Sequence, residues 1–222
     1  MVDPIYLRST DHIDADHPAV KVFAEENVAG LHTPRDKAVA LFYAVRDGIR
    51  YTPYGVDLSP DAMRASTVLS VGQGFCIPKA LLLTASARAV GIPARLGFAD
   101  VRNHLASRRF LDLMGGNEVF AWHAFTELFL DGRWLKATPA FDLGLCERFG
   151  VRPLEFDGTQ DALFHPFDAA GRPYMEYVRQ RGSYADLPLA EIRETFERLY
   201  PTWLEGESDG DLHAEAEAEH RS

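Results

Sequence analysis

The sequence predicts an α+β fold, with helices packed on an antiparallel sheet. Three observations carry this. In the first fifty residues apolar side chains recur at helical spacing, as in Ala38, Leu41, Phe42, Val45 and Ile49. The run Ala80 to Val90 is uninterrupted by Gly or Pro and ends at Gly91 and Pro93. After residue 94 the pattern turns to extended segments, and Asp131-Gly132 between two apolar runs is a strong hairpin signal.

Taken in order, residues 1–16 read as a short strand and a loop, with His12 and His17 among aspartates in no trusted ligand spacing. His17-Pro18 opens a helix to about Asn27, with Val20, Phe23 and Ala24 on its buried face. Thr33-Pro34-Arg35-Asp36 starts the next, with Thr33 as cap, Pro34 in the first turn and Asp36 closing a capping box. That helix ends near Gly48–Arg50, and Arg46 and Asp47 are expected to face out. Tyr51 to Gly55 is an extended, turn-rich connection, and Asp61 to Ala65 can form one helical turn. The Gly-rich loop Gly72-Gln73-Gly74 then delivers Cys76 to a helix start, where Pro78 needs no amide donor.

A strand follows from Ala94 to about Val101. Residues 102–117 read as a long loop with a possible short helix, and His104 in it reads as a surface residue. The hairpin runs from Glu118 to Leu130 and back from Trp134 to about Phe141, with His123 on its first strand. Asp142 can cap a short helix from Leu143 to Phe149, in which Cys146 reads as core filler. Residues 151–185 read as irregular, and Leu189 to Leu199 as an amphipathic helix. Residues 1–204 form one expected domain. From Glu205 the chain is mostly Glu, Asp, Ala, Gly and Ser, without Phe, Trp or Tyr, a composition that predicts disorder to residue 222.

The totals bound the function. The chain has 222 residues, 46% of them apolar, enough for one sizeable core. A net charge of −10 argues against nucleic acid or anionic membrane as the main partner. Two cysteines without a C-x-x-C pair disfavour a thiolate zinc cage, and no metal or organic cofactor is expected. No apolar run approaches the ~20 residues of a membrane span, and no secretory segment is read, so a cytoplasmic protein with reduced thiols is expected.

A thiol at a helix N-terminus meets the positive end of the backbone dipole, which favours the thiolate. A structural buried cysteine is the bland alternative. Acyl transfer needs such a thiol, an imidazole to move its proton and a group to orient the imidazole.

At this point the chain resembles the transglutaminase-like core of the papain-type cysteine enzymes. The residues that carry the likeness are Gly74-Phe75-Cys76, Arg88-Ala89-Val90-Gly91-Ile92-Pro93-Ala94-Arg95, Trp122-His123-Ala124-Phe125-Thr126-Glu127-Leu128 and Asp131-Gly132-Arg133-Trp134. Upstream, Val45 to Tyr51 resembles the helix that usually precedes the catalytic cysteine. The likeness covers about residues 35–142.

The resemblance implies a Cys-bearing helix on an antiparallel sheet, Cys76 as nucleophile and His123 as general base. The third member departs from the pattern. The family's Asp-Pro usually ends the return strand where this chain has Thr138-Pro139. Three readings stay open. Asp142 orients His123, although on a straight strand it lies about 13 Å beyond Thr138 at ~3.3 Å per residue; Thr138 or a backbone carbonyl does so; or the site is degraded. Asp142 is favoured because an ionised partner stabilises an imidazolium best, with helix capping as its competing role. Gln73 is the candidate oxyanion donor beside the Cys76 amide, and Tyr54 a weaker one.

The implied function is acyl transfer or hydrolysis at an amide through a Cys76 thioester, on a peptide, protein or small amide substrate. The alternative is an inactive peptide- or protein-binding module. A metal hydrolase built on His104, His123 and His165 has the least support.

Overall fold

The computed structural model describes residues 2–104, 108–164, 171–172, 174–205 and 210–215. After a 3-10 turn at Pro4–Leu7 come α1 (Pro18–Asn27) and α2 (Pro34–Gly48). The Thr33 hydroxyl accepts from the Asp36 amide at 3.1 Å and donates to the Asp36 carboxylate at 2.7 Å, the start expected from Thr-Pro-Arg-Asp. Arg46 does not face out. It is 4% exposed and donates to the Leu154 carbonyl at 2.6 Å while pairing with Asp47 and Glu155.

The two-residue strands β1 (Arg50–Tyr51) and β2 (Gln73–Gly74) pair in parallel, Arg50 with Gln73 and Tyr51 with Gly74. Between them lies α3 (Ala65–Val71), which begins where the turn expected over Asp61 to Ala65 ends and is itself ended by Gly72 at φ +72°. β2 leads straight into α4 (Cys76–Ala89), in which every residue from Cys76 to Arg88 is buried. A helix that is apolar all round belongs in a core. α1, α2 and α3 cover one side of it, and the sheet covers the other.

The sheet is antiparallel, in the order β5-β4-β3-β6, from β3 (Ala94–Asn103), β4 (Val119–Leu130), β5 (Arg133–Ala137) and β6 (Met175–Tyr184). The turn between β4 and β5 has Asp131 at φ +49° and Gly132 at +83°, the backbone that Asp-Gly favours. β5 stops at Ala137, short of the expected Phe141. Thr138 turns its amide to the Ala162 carbonyl at 3.0 Å, and Pro139 has no donor for a ladder. β6 falls in the stretch read as irregular. It is a mostly exposed edge strand, so it lacks the apolar alternation that marks a strand.

The helices α5 (Arg108–Leu113), α6 (Leu143–Phe149), α7 (Leu189–Leu199) and α8 (Pro201–Glu205) complete the chain. Residues 210–215, in the stretch whose composition reads as disordered, lie against the domain with Leu212 buried. Among the described residues no helix is long and apolar enough to cross a membrane.

Candidate active site

α4 and β4 bring Cys76 and His123 to one junction. The Thr126 hydroxyl donates to the Ala80 carbonyl at 3.0 Å, and Thr84 lies 3.1 Å from the same hydroxyl. These buried hydroxyls fix the height of the cysteine helix on the histidine strand. As a result the Ala124 amide, next to His123, points at the Cys76 sulfur, as do the amides of Cys76 and Ile77 at the helix start.

His123 is aimed by an irregularity. β4 pairs Ala99 with His123 and then Val101 with Phe120, so Asp100 faces an extra residue on β4. Trp122 takes up the bulge at φ +60°, which is costly for a large side chain. Its amide donates to Asp100 at 3.1 Å, its indole donates to Thr195 at 3.0 Å, and Arg181 pairs with Asp100 and lies 4.6 Å over its ring. No sequence signal marked Asp100 or Arg181 as the holders of this bulge.

The junction is buried. Cys76 is 2% exposed and His123 4%. The His123 ring lies 5.3 Å from that of Phe164 and 6.2 Å from that of Tyr177. Phe164 in turn packs on Phe141 and Tyr174. The helix start was expected to lower the thiol pKa. Burial outweighs the three amides and pushes Cys76 up to about 12. Burial alone pushes His123 down to about 3. Burial thus favours the neutral thiol and the neutral imidazole over an ion pair.

Asp142 does not orient His123. Its carboxylate accepts from the Leu145 amide and the Tyr51 amide, both at 2.9 Å, and lies 3.3 Å from His213 Nε2. Capping of α6 decides its place, the competing role read from the sequence. Thr138 is 1% exposed and its hydroxyl lies near Tyr177, whose phenol burial pushes up, but it makes no hydrogen bond of good geometry among the described residues. His123 Nε2 is likewise buried without a hydrogen-bond partner among the described residues.

Gln73 is exposed on β2 and lines a cavity of about 270 Å³ with Arg50, Tyr54 and residues 210–213. The Tyr54 hydroxyl donates to Glu215 at 2.5 Å. Cys146 is a buried free thiol in α6, as the core-filler reading expects. Lys79, one turn after Cys76, belongs to no motif legible in the sequence. It is fully buried, donates to the carbonyls of Arg46 (2.8 Å) and Ile49, and burial brings its pKa down to about 7 against the pull of Asp142. His165 lies outside the described residues. No cluster of three His, Cys, Asp or Glu suited to a metal occurs among the described residues.

A family model described as the transglutaminase-like superfamily matches residues 21–139. No curated protein matches the chain. Among solved structures, a candidate cysteine protease from Cytophaga hutchinsonii is similar at 17% identity and TM-score 0.46, over 60% of this chain and 40% of that one. A candidate protease from Parabacteroides distasonis follows at 17% identity and TM-score 0.39, over 58% of this chain and 26% of its own. The periplasmic domain of TgpA from Pseudomonas aeruginosa, bound to ethylmercury, is similar at 22% identity and TM-score 0.40, over 55% and 43%. The chain thus spans less than half the length of each of these neighbours.

Proposed function

The chain belongs to the transglutaminase-like superfamily, and from that premise we propose that it is a cysteine enzyme of acyl transfer or hydrolysis at an amide. The observation that carries this reading is the Cys76 sulfur at the start of α4, faced by the amide of the residue after His123. Cys76 Sγ attacks the substrate carbonyl carbon as its proton passes to His123. The imidazolium gives that proton to the leaving amine, and the C–N bond breaks to leave a thioester. Water or an amine then attacks the thioester and loses its proton to His123, and the thiol is restored.

Burial favours the neutral form of both groups at rest. A substrate that parts the aromatic cover brings polar atoms to His123 Nε2 and Thr138 Oγ1, which lack partners among the described residues, and these atoms favour proton transfer. Thr138 rather than Asp142 is the group assigned to the far side of the imidazole. Gln73 is the candidate donor to the oxyanion from the mouth of the cleft. The substrate is a peptide, protein or small amide, and the site described needs neither metal nor organic cofactor. The protein is expected in the cytoplasm, away from nucleic acid and membranes.

The second reading is an inactive binding module, favoured by Thr138 in the place of the family's aspartate. The pH dependence of Cys76 alkylation by iodoacetamide separates the two. An enzyme gives measurable alkylation at pH 6 that drops tenfold or more in His123→Ala. A module gives a single rise near the ordinary thiol value, about pH 8.5 or above, unmoved by that substitution.

A further inference from the structure

The cavity beside Gln73 is walled on one side by the chain's own last described residues. Asp211 pairs with Arg50 at 2.6 Å, and Leu212 is buried. Glu215 accepts from the Tyr54 hydroxyl and pairs with Arg109 at 3.2 Å. Arg109 itself lies 5.4 Å over the Tyr54 ring. Gly210 rests on the face of that ring, where a Cβ would fall 2.5 Å from its carbons. Only a residue without a side chain lets the backbone lie so close.

Arg50 belongs to β1, which pairs with β2, and β2 runs directly into Cys76. The segment therefore lies against the short strand pair that leads into Cys76. Its contacts are those of a bound peptide, with two carboxylates on two arginines and a phenol, and one leucine as apolar anchor. The Arg50–Asp211 pair is about half exposed on both sides, and exposed pairs hold weakly. The occupant is thus suited to exchange.

We infer that the groove formed by Arg50, Tyr54 and Arg109 is a subsite for an acidic peptide, filled in cis by Gly210–Glu215. This deepens the proposed function, and rests on it for the chemistry next door. The ligand class is a short segment carrying carboxylates either side of one apolar residue. An external peptide of that kind must displace the tail before it reaches Cys76.

The test uses the full chain and a fluorescent peptide of residues 208–217, with binding read by anisotropy. Gly210→Val drives the tail off the Tyr54 ring and leaves the groove intact. The expected result is at least tenfold tighter binding to Gly210→Val than to the wild type, reversed at least tenfold by adding Arg50→Glu. Leu212→Asp releases the tail by another route and decides the matter where Gly210→Val fails to fold. In the wild type, excess peptide is expected to speed hydrogen exchange at residues 211–215. Equal binding to wild type and released variants, or binding indifferent to Arg50→Glu, would overturn the inference. The same binding is expected with Cys76→Ala, so a chain that binds but does not catalyse is told apart from one that catalyses without this subsite.

Discussion

The pocket around His123 and the corner around Asp142, nineteen residues on in sequence, treat their polar groups in opposite ways. The Asp142 carboxylate has two backbone amides and an imidazole beside it. His123 is walled by Phe164 and Tyr177, and among the described residues neither its Nε2 nor the Thr138 hydroxyl has a hydrogen-bond partner. A satisfied carboxylate is a structural fitting. An unsatisfied imidazole is a group whose proton affinity a ligand can change. The position of the acidic residue, read without its neighbours, pointed to the wrong one of the two.

The largest effect that sharpens this contrast is Asp142→Ala. It removes a helix cap, worth about 1 kcal/mol, and strands the Tyr51 amide, worth a further ~1–3 kcal/mol. Denaturant unfolding is expected to register a loss of that size, while acyl transfer to Cys76 in the folded variant changes less than threefold. A loss of a hundredfold or more would make Asp142 the orienting residue after all.

Proton linkage separates the regions next. His123 binds its proton near pH 3 when folded, against 6.5 ordinarily. Above 6.5 both states are neutral. As pH falls from 6.5 toward 3 the unfolded chain takes up the proton first, so stability falls through that window. Subtracting the stability curve of His123→Gln from that of the wild type is expected to isolate this slope.

Lys79 acts on the alkaline side. It holds its proton only up to about pH 7 when folded, against 10.5 ordinarily, so the unfolded chain binds more protons between those values and stability rises with pH. Urea titrations of Lys79→Met between pH 7 and 10 are expected to lack that rise. The smallest effect is Thr138→Val, which removes a buried hydroxyl without a good hydrogen bond and is expected to raise stability by about 1 kcal/mol. A drop instead would show that Thr138 has a partner that holds it.

Much of the frame was legible in the sequence. Thr33-Pro34-Arg35-Asp36, Gly91-Ile92-Pro93 and Asp131-Gly132 each fix a helix end or a turn by local chemistry, and all three act as read. β6 was hidden because its outer face is polar and its partner β3 lies some eighty residues away. Cys76 and His123 were legible from their motifs, but their proton affinities were not. A helix N-terminus is a local feature that lowers a thiol pKa, whereas burial is set by residues from the whole chain and here outweighs it. The bulge at Trp122 depends on Asp100 across the ladder and left no mark on its own strand. The docking of segment 210–215 is hidden in the sequence because its charges are met by Arg50 and Arg109, far off along the chain.

The most direct measurement is acylation of the intact protein by p-nitrophenyl acetate, with the acetylated residue located by mass spectrometry. The expected result is a single acetyl group on Cys76, none on Cys146, and a rate at least a hundredfold lower in His123→Ala, the scale of one general base. Acetyl groups scattered over lysines, or a Cys76 rate unchanged by losing His123, would contradict the pairing of these two residues in chemistry.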